Sequence, residues 1–472
     1  MKSIAIILFS CYSLVAWCQD IGIGEIEAAG LPVLYIETVD EEVPTYDVIW
    51  NKPEEYLGNT IKNATKVPGR ISISNGGQIV YDSGPYEDNE SGMTIRVRGN
   101  TSALLGDKKP YKIKLQKKAD LLCRGNDSIY KDKNWLLIKD HNFRNMIAFK
   151  VNELIGLQWT PAFQYVNVIL NGQYEGLYML VENVKRNTRC RLNVSDTGYV
   201  AEFDPYFWNE KVYVESSLER SKTLPMHYTF KYPDPDDISR EEIEYFRAQV
   251  HKAENSLTDG TYADHIDLNS FARWMLAHEI LGNNDGAGSN IFLTKYDNTA
   301  DSKFMMGCLW DMEGSFRAKD QWDGVHGSGV FFYYDLFEDI DCVDFRNTFA
   351  AIWRDEQDTI FDGITAFLDE LELSEGAEAI RQSVVLDNSR WGADNDPLDE
   401  CIAYAREWFA ARRPWLNGAM KEIHTGIRDV QTTASETDPP IYYDLRGLRV
   451  ENPSKGVFIR KSRSRTDRVV FR

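Results

Sequence analysis

The spacing of apolar positions changes period several times along the chain, and each change marks an element. From Leu31 to Val80, short apolar runs such as LPVLYIET and GRISISN alternate with turn signals such as Asn75-Gly76-Gly77, which predicts a β-rich entry segment. IRVRGN and KPYKIKLQ continue in period two, so that Tyr111, Ile113 and Leu115 face one way and Lys112 and Lys114 the other. Between Asn142 and Leu157 the positions Ile147, Val151 and Leu154 recur at helical spacing and Gly156 ends the run, predicting one amphipathic helix. FQYVNVILNGQYEGLYMLVENV reads as two strands joined at Asn171-Gly172, the residue pair that tight hairpin turns select.

Further along, the Pro- and Asp-rich interval from Trp208 to Asp237 reads as a surface excursion. Ser239 then starts a helix through His251, with Glu241 and Glu242 in its first turn, and a second helix runs from Leu268 to about Leu281. The glycine-bearing loop GNNDGAGSN follows, then the strand IFLTKY, a turn, and the strand MMGCLWDME. Phe345 to Ile423 is mostly helical and reads as supporting bulk. The Thr/Ser/Asp/Pro linker QTTASETDPP leads to a tail of three short strands with turns at Arg446-Gly447 and Asn452-Pro453. The expected division is 1–18 leader, 19–85 β-rich segment, 86–425 main domain, 426–440 linker and 441–472 β tail.

Composition narrows the classes. With 472 residues, 43% of them hydrophobic and 12% aromatic, the chain can bury two or three cores, which excludes disorder and coiled coil as its main organisation. A formal charge of -20, from 53 Lys plus Arg against 73 Asp plus Glu, repels phosphate backbones, so no nucleic acid partner is expected. Lys2, the apolar run Ile4 to Ala16, and the small positions Ala16 and Cys18 read as a signal peptide cut before Gln19. Trp17 favours plain cleavage over acylation of Cys18. No later segment reaches 18 apolar residues, so export to periplasm, cell surface or medium is expected, with no transmembrane segment. Cys123, Cys190, Cys308, Cys342 and Cys401 remain after the cut, an odd number, with no Cys/His pattern at zinc spacing.

Chemistry concentrates in the glycine-bearing loop. Asp285 and Asn290 are five apart, and Asp311 stands a hairpin later at the end of an apolar run. Phosphoryl transfer uses that order: one Asp accepts the hydroxyl proton, while an Asn and a further Asp hold metal. Neither HRD nor DFG occurs. Upstream stand a lysine strand with Lys112 or Lys114 for nucleotide phosphates, Glu153 on a helix to orient the lysine, and Glu182 to Val184 for adenine. Each has a plainer reading, respectively a solvated strand face, an exposed helix acid, and a local pair of Glu182 with Lys185 or Arg186. In a third reading Asp311 with Glu313, or Asp285 with another acid, forms a glycosidase pair with Trp310 and Trp322 as a sugar platform.

Five blocks, IRVRGNTS with KPYKIKL, NWLLIKDHNFRNMIAFKVNELIG, YVNVILNGQYEGLYMLVENV, NNDGAGSNIFLTKY and CLWDMEGSF, resemble the CotH kinase family of spore-coat-type atypical protein kinases. AREWFAARRPWL resembles the family's closing helix. The resemblance implies an α+β, protein-kinase-like two-lobed fold with a β-rich N-terminal segment and a small C-terminal β-unit. It also implies use of ATP with Mg2+ or Mn2+ to phosphorylate Ser or Thr of a protein or peptide substrate. Asp285 matches the catalytic Asp and Asp311 the metal-binding Asp, with Asn290 as the second metal ligand. Arg96, Arg98 and Asn100 match an RxRGN motif suited to phosphate, or else form a turn paired with local acids. Glu313 either adds a second carboxylate to the metal or caps Gly314. The tail resembles C-terminal β-units of exported Bacteroidetes proteins, associated with sorting or attachment; its plainer reading is a charged edge strand. The alternative function is a catalytically silent kinase-fold surface or envelope protein that binds peptide or glycan.

Overall fold

The computed structural model describes residues 21–49, 59–125, 127–218, 225–285, 289–322, 324, 332, 336–337, 342–425, 441–443, 449–450, 453–461 and 466–471. The expected leader and the linker 426–440 lie outside these. Helix α1 (Ile23–Ala28) precedes strands β1 (Val33–Thr38), β2 (Asp47–Ile49), β3 (Thr60–Lys62), β4 (Val67–Asn75), β5 (Gln78–Asp82) and β6 (Met93–Val97). After the short helix α2 (Thr101–Leu104) come β7 (Tyr111–Ala119), β8 (Asp132–Ile138), helix α3 (Arg144–Leu154), β9 (Phe163–Leu170) and β10 (Gln173–Glu182).

Seven of these strands close a barrel in the order β1-β9-β10-β8-β7-β6-β4, because β4 pairs with both β6 and β1. Only the β1 and β9 pair is parallel within it. The alternation read from sequence fills the interior: Ile95, Ile113, Leu115, Trp135, Val166 and Leu180 are buried in one cluster, while Lys112 and Lys114 stand on the outer surface. Closure needs strands from both sides of residue 85. Asn171 (φ 49°) and Gly172 (φ 75°) make the hairpin turn as read.

A second, antiparallel sheet has the order β12-β13-β11-β14-β15, built from β11 (Tyr199–Asp204), β12 (Tyr213–Val214), β13 (His227–Tyr232), β14 (Ile291–Lys295) and β15 (Phe304–Met306). The stretch read as a surface excursion therefore contains two strands of this sheet. Met226, Tyr228 and Phe230 alternate into its core, a period-two signal that the neighbouring Pro and Asp residues obscured. Helix α4 (Arg240–Asp259) starts at Ser239 with a reciprocal Ser239–Glu242 cap and runs past His251 to Gly260 (φ 80°). Helix α5 (Leu268–Leu281) ends at the left-handed Gly282.

Helices α6 (Val343–Leu373), α7 (Glu375–Trp391) and α8 (Leu398–Thr425) form the helical region. The chain divides into two compact units between Trp415 and Leu416. Among its described residues the second unit carries four tail strands rather than three, β16 (Ile441–Tyr443), β17 (Arg449–Val450), β18 (Gly456–Lys461) and β19 (Thr466–Phe471), in the order β17-β16-β18-β19. Among the described residues no helix is long and apolar enough to cross a membrane, and none of the five cysteines named above is in a disulfide.

One buried ion pair ties α7 to the barrel. Asp387, fully buried, accepts from Lys108 Nζ and from the Leu177 backbone N–H, each at 2.6 Å, and Lys108 Nζ donates to Leu177 O at 2.7 Å. The approach is possible because β10 bulges at Gly176 (φ 113°), where any Cβ would collide with the Asp387 carboxylate. Removing one partner leaves the other charge buried and alone, so Asp387→Ala should lower unfolding free energy by about 3–5 kcal/mol, read as a denaturant midpoint. The pair of changes Lys108→Met with Asp387→Leu should cost clearly less than the single change; an equal loss would show that the ion pair is not the reason.

Candidate active site

Asp311 does not end a strand. β15 stops at Met306, and the next amides leave the sheet. Gly307 N–H still donates to Phe292 O at 2.7 Å, but Leu309 N–H donates to Asn152 Oδ1 and Met312 N–H to Asn145 Oδ1, both at 2.8 Å. Two buried asparagines seven apart on α3 thus take the place of a strand partner. Their amide nitrogens are anchored in turn: Asn152 Nδ2 on Trp159 O (2.9 Å) and Thr160 Oγ1 (2.7 Å), Asn145 Nδ2 on Asp140 Oδ1 (3.1 Å). Arg144 Nη1 holds Glu313 O at 2.8 Å. Asp311 therefore occupies a left-handed corner (φ 56°) entering a 3-10 turn over Met312–Gly314.

Asp285 is brought to that corner by the end of α5. Asn283, fully buried, accepts the Asp285 N–H at 3.2 Å, and its Nδ2 lies 3.3 Å from both His278 Nδ1 and Met312 Sδ. Burial keeps His278 neutral, pushing it down to about 3. Gly314 leaves just enough room, since a Cβ there would lie 2.6 Å from Asn283 Oδ1 and 2.8 Å from Asp285 Cβ.

These residues open into a cavity of about 800 Å3. The barrel side contributes Arg98 and Asn100 after β6, Lys112 from β7, Leu136 from β8, Lys139 and His141 beyond it, and Asn183 and Val184 after β10. The other side contributes Glu202, Asp204 and Tyr206 from β11 and its turn, Lys231 from β13, Asp285, Asn290, Phe292, Trp310, Asp311 and Glu313. Asp285 and Asp311 are open to solvent through this cavity although protein surrounds them.

Charge is crowded here. Burial raises the Asp285 carboxyl, with Arg317 opposing; burial also raises Asp311, helped by Asp285 and opposed by Arg98 and the Asn290 amide. Glu313 is pushed up to about 7 by burial, then by Asp311 and Asp140. Asp204 is likewise pushed up to about 7 by burial and by Glu202, against the pull of Lys231. Glu202 Oε2 lies 2.6 Å from Lys231 Nζ, and for that ammonium the carboxylates outweigh burial and hold it above its usual range. Lys112 is pushed down to about 8 by burial, then by Arg96, Lys185, Lys231 and Arg98, and among the described residues it has no carboxylate partner.

Of the site residues expected from sequence, Arg98, Lys112, Val184, Asp285, Asn290 and Asp311 line this one cavity. Lys114, two residues along β7, is exposed outside it. Glu153 points to solvent at the end of α3, 62% exposed, with Lys150 at 3.1 Å, so it orients no strand lysine. Glu182 is 2% exposed and enclosed by Arg124 (2.9 Å) and Arg191 (2.8 Å), with its other oxygen accepting the Ala162 N–H. The local partners considered for it are engaged elsewhere, Lys185 with Asp132 and Arg186 with Asp196. Trp322 packs on Trp415 and Phe349 rather than beside Trp310, which removes the paired sugar platform. Asn145, Asn152, Asp204, Lys231 and His141 were not expected. The two asparagines on an otherwise apolar helix face were the one readable signal.

Among the described residues no three His, Cys, Asp or Glu side chains cluster closely enough to hold a metal ion. Asp311, with the Asn290 side chain on its carboxylate and Asp285 near, nevertheless suits Mg2+, which binds through one or two carboxylates and completes its shell with water and phosphate oxygens.

The sequence model of the family described as CotH kinase protein matches residues 95–416. No curated protein matches the chain. Among solved structures, a crystal structure of a Helicobacter pylori proinflammatory kinase, CtkA, aligns at 11% identity over 58% of this chain and 91% of that one, with a TM-score of 0.25.

The contact at Gly314 is directly testable. Gly314→Ala should lose about 1–3 kcal/mol of unfolding free energy through overpacking against Asn283 and Asp285. Gly418→Ala, in open space within α8, should instead gain about 0.5–1 kcal/mol. Chemical denaturation of both variants checks this, and a neutral Gly314→Ala would mean that the two turns are not locked together.

Proposed function

On the premise that this chain belongs to the CotH kinase family, whose model covers residues 95–416, we propose that it transfers the γ-phosphate of ATP to Ser or Thr hydroxyls of a secreted or envelope protein. The observation that carries the reading is the gathering of Asp285, Asn290 and Asp311 with Arg98 and Lys112 around one cavity. A nucleotide with its cation needs both signs of charge, and this cavity offers both.

Asp285 accepts the proton of the acceptor hydroxyl; burial raises its basicity, which suits that task. Asp311 and Asn290 would hold Mg2+ or Mn2+, which would offset the charge that develops on the phosphate oxygens. Lys112, crowded by other cations and lacking a carboxylate, is relieved by a polyphosphate, and Arg98 provides a fork for a second phosphate oxygen. Leu136, Val184 and Phe292 supply the apolar walls for adenine, and the backbone of Asn183 and Val184 its hydrogen bonds. In this reading the barrel is the upper lobe, and the β11–β15 sheet with its helices the lower. The leader read from the sequence puts the acceptor protein outside the cytoplasm.

With radiolabelled ATP and Mg2+ or Mn2+, the protein should bind nucleotide and label itself or an added protein. Asp285→Ala and Asp311→Ala should each reduce labelling about a hundredfold or more, as loss of a proton acceptor or metal ligand does. Absence of nucleotide binding under every metal condition would overturn the proposal. Because Lys112 is charged only below about 8, ATP affinity should fall by about tenfold or more as pH rises from 7 to 9.5. Lys112→Arg should keep its affinity across that range, and an identical fall in the variant would take Lys112 off the phosphates.

A further inference from the structure

His141 lies on the connection from β8 to α3 and lines the same cavity as Asp311 and Glu313. Its Nδ1 is wholly covered and faces Oδ2 of Asp394, itself covered, at 3.3 Å. Among the described residues neither atom has a hydrogen-bond partner other than the group it faces. The side chain is nevertheless 28% exposed. With Nδ1 covered, the edge presented to the cavity is the one that carries Nε2.

Asp394 is not a casual neighbour. It belongs to the turn between α7 and α8, where its N–H is held by Gly392 O (2.7 Å) and Asn388 Oδ1 (3.1 Å). Two residues on, Asp396 N–H donates to His141 O at 2.9 Å. The same turn therefore grips both the backbone and the ring of His141. The charged groups facing that ring are Asp394 behind it, with Lys139 and Glu313 beside it on the cavity wall.

We propose that His141 is a phosphate-binding residue of the cleft, with Asp394 as the positioning residue that turns Nε2 toward an oxyanion of a nucleotide polyphosphate. The inference rests on the nucleotide reading above and adds a contact that reading did not contain. Set between the Asp394 carboxylate and a bound phosphate, the ring has an acceptor at each nitrogen, Asp394 at Nδ1 and the ligand at Nε2. Lys139, whose Nζ is tied to Leu105 O at 3.0 Å, adds a fixed positive charge next to it. The C-terminal helices thereby take part in ligand binding through one turn.

The test measures affinities of the full chain for adenosine, ADP, ATP and inorganic tripolyphosphate by calorimetry. His141→Phe, which keeps the ring's bulk, should lose about tenfold in affinity for ATP and tripolyphosphate and almost nothing for adenosine. Asp394→Asn should move in the same direction by a smaller factor, and His141→Gln, which keeps a donor, should recover part of the loss. A thermal melt of each variant checks that it is folded. If the wild type binds ATP but His141→Phe loses adenosine and ATP equally, or loses neither, this inference fails while the kinase reading stands. If the wild type binds tripolyphosphate in a His141-dependent way but no nucleotide, the phosphate contact stands and the kinase reading fails. Binding of neither overturns both.

Discussion

Everything in the cleft depends on how two asparagine side chains hold a piece of backbone. Residues 309–312 are too far from the sheet to pair with it, and a buried amide without a partner is costly. Asn145 and Asn152 accept the Leu309 and Met312 amides and so replace a strand with a helix face. A strand would have put Asp311 and Glu313 on one face by alternation; the asparagines instead turn the chain through a left-handed corner and a 3-10 turn. Both carboxyls then reach the same cavity from a tight bend. Since α3 is hung from the barrel and the bend packs on Asn283, the separation between Asp285 and Asp311 is set by the joint between the barrel and the second sheet.

That joint concentrates charge of both signs and pairs only part of it, Lys231 with Glu202. Burial raises Asp285, Asp311 and Glu313 on one side of the cavity, with Asp285 adding to the rise of Asp311 and Asp311 to that of Glu313, while burial and then Arg96, Lys185, Lys231 and Arg98 depress Lys112 on the other. A fold selected for stability alone would interleave these groups, as it does at Lys108–Asp387 and at Glu182 with Arg124 and Arg191. Keeping like charges together costs stability in the empty protein, and a ligand that brings both a cation and a polyanion removes both repulsions. The contrast between satisfied pairs in the walls and unsatisfied groups in the cleft locates function more sharply than any single residue does.

Local periodicity was legible in the sequence wherever one principle decided the outcome. The Asn171-Gly172 hairpin, α3, α5 and the inward row Ile113 and Leu115 follow from turn chemistry and spacing alone. The same reading placed Asp285, Asn290 and Asp311 near one another, but only through the order of elements that phosphoryl transfer uses, and it gave Asp311 the wrong backbone. The errors share a cause. Glu182 and Glu153 are ordinary acids until one knows which arginines and lysines approach them in space, and no local pattern carries Arg124 or Arg191 to Glu182. β13 was lost because flanking Pro and Asp outweighed the short alternation of Met226, Tyr228 and Phe230.

The helical region shows the same limit from the other direction. Its composition reads as bulk, and most of it is, yet two short stretches reach the barrel with opposite chemistry. Asp387 enters the bulge at Gly176 and is fully satisfied there, with Lys108, Leu177 and Asn395 all donating to it. Seven residues later Asp394 faces the covered nitrogen of His141 at 3.3 Å. The first contact fixes where α7 sits, and the second can be left incomplete because the first is not. A rigid, satisfied pair beside a half-satisfied one is what lets a distant helix hold a side chain in the cleft without filling the place of the ligand.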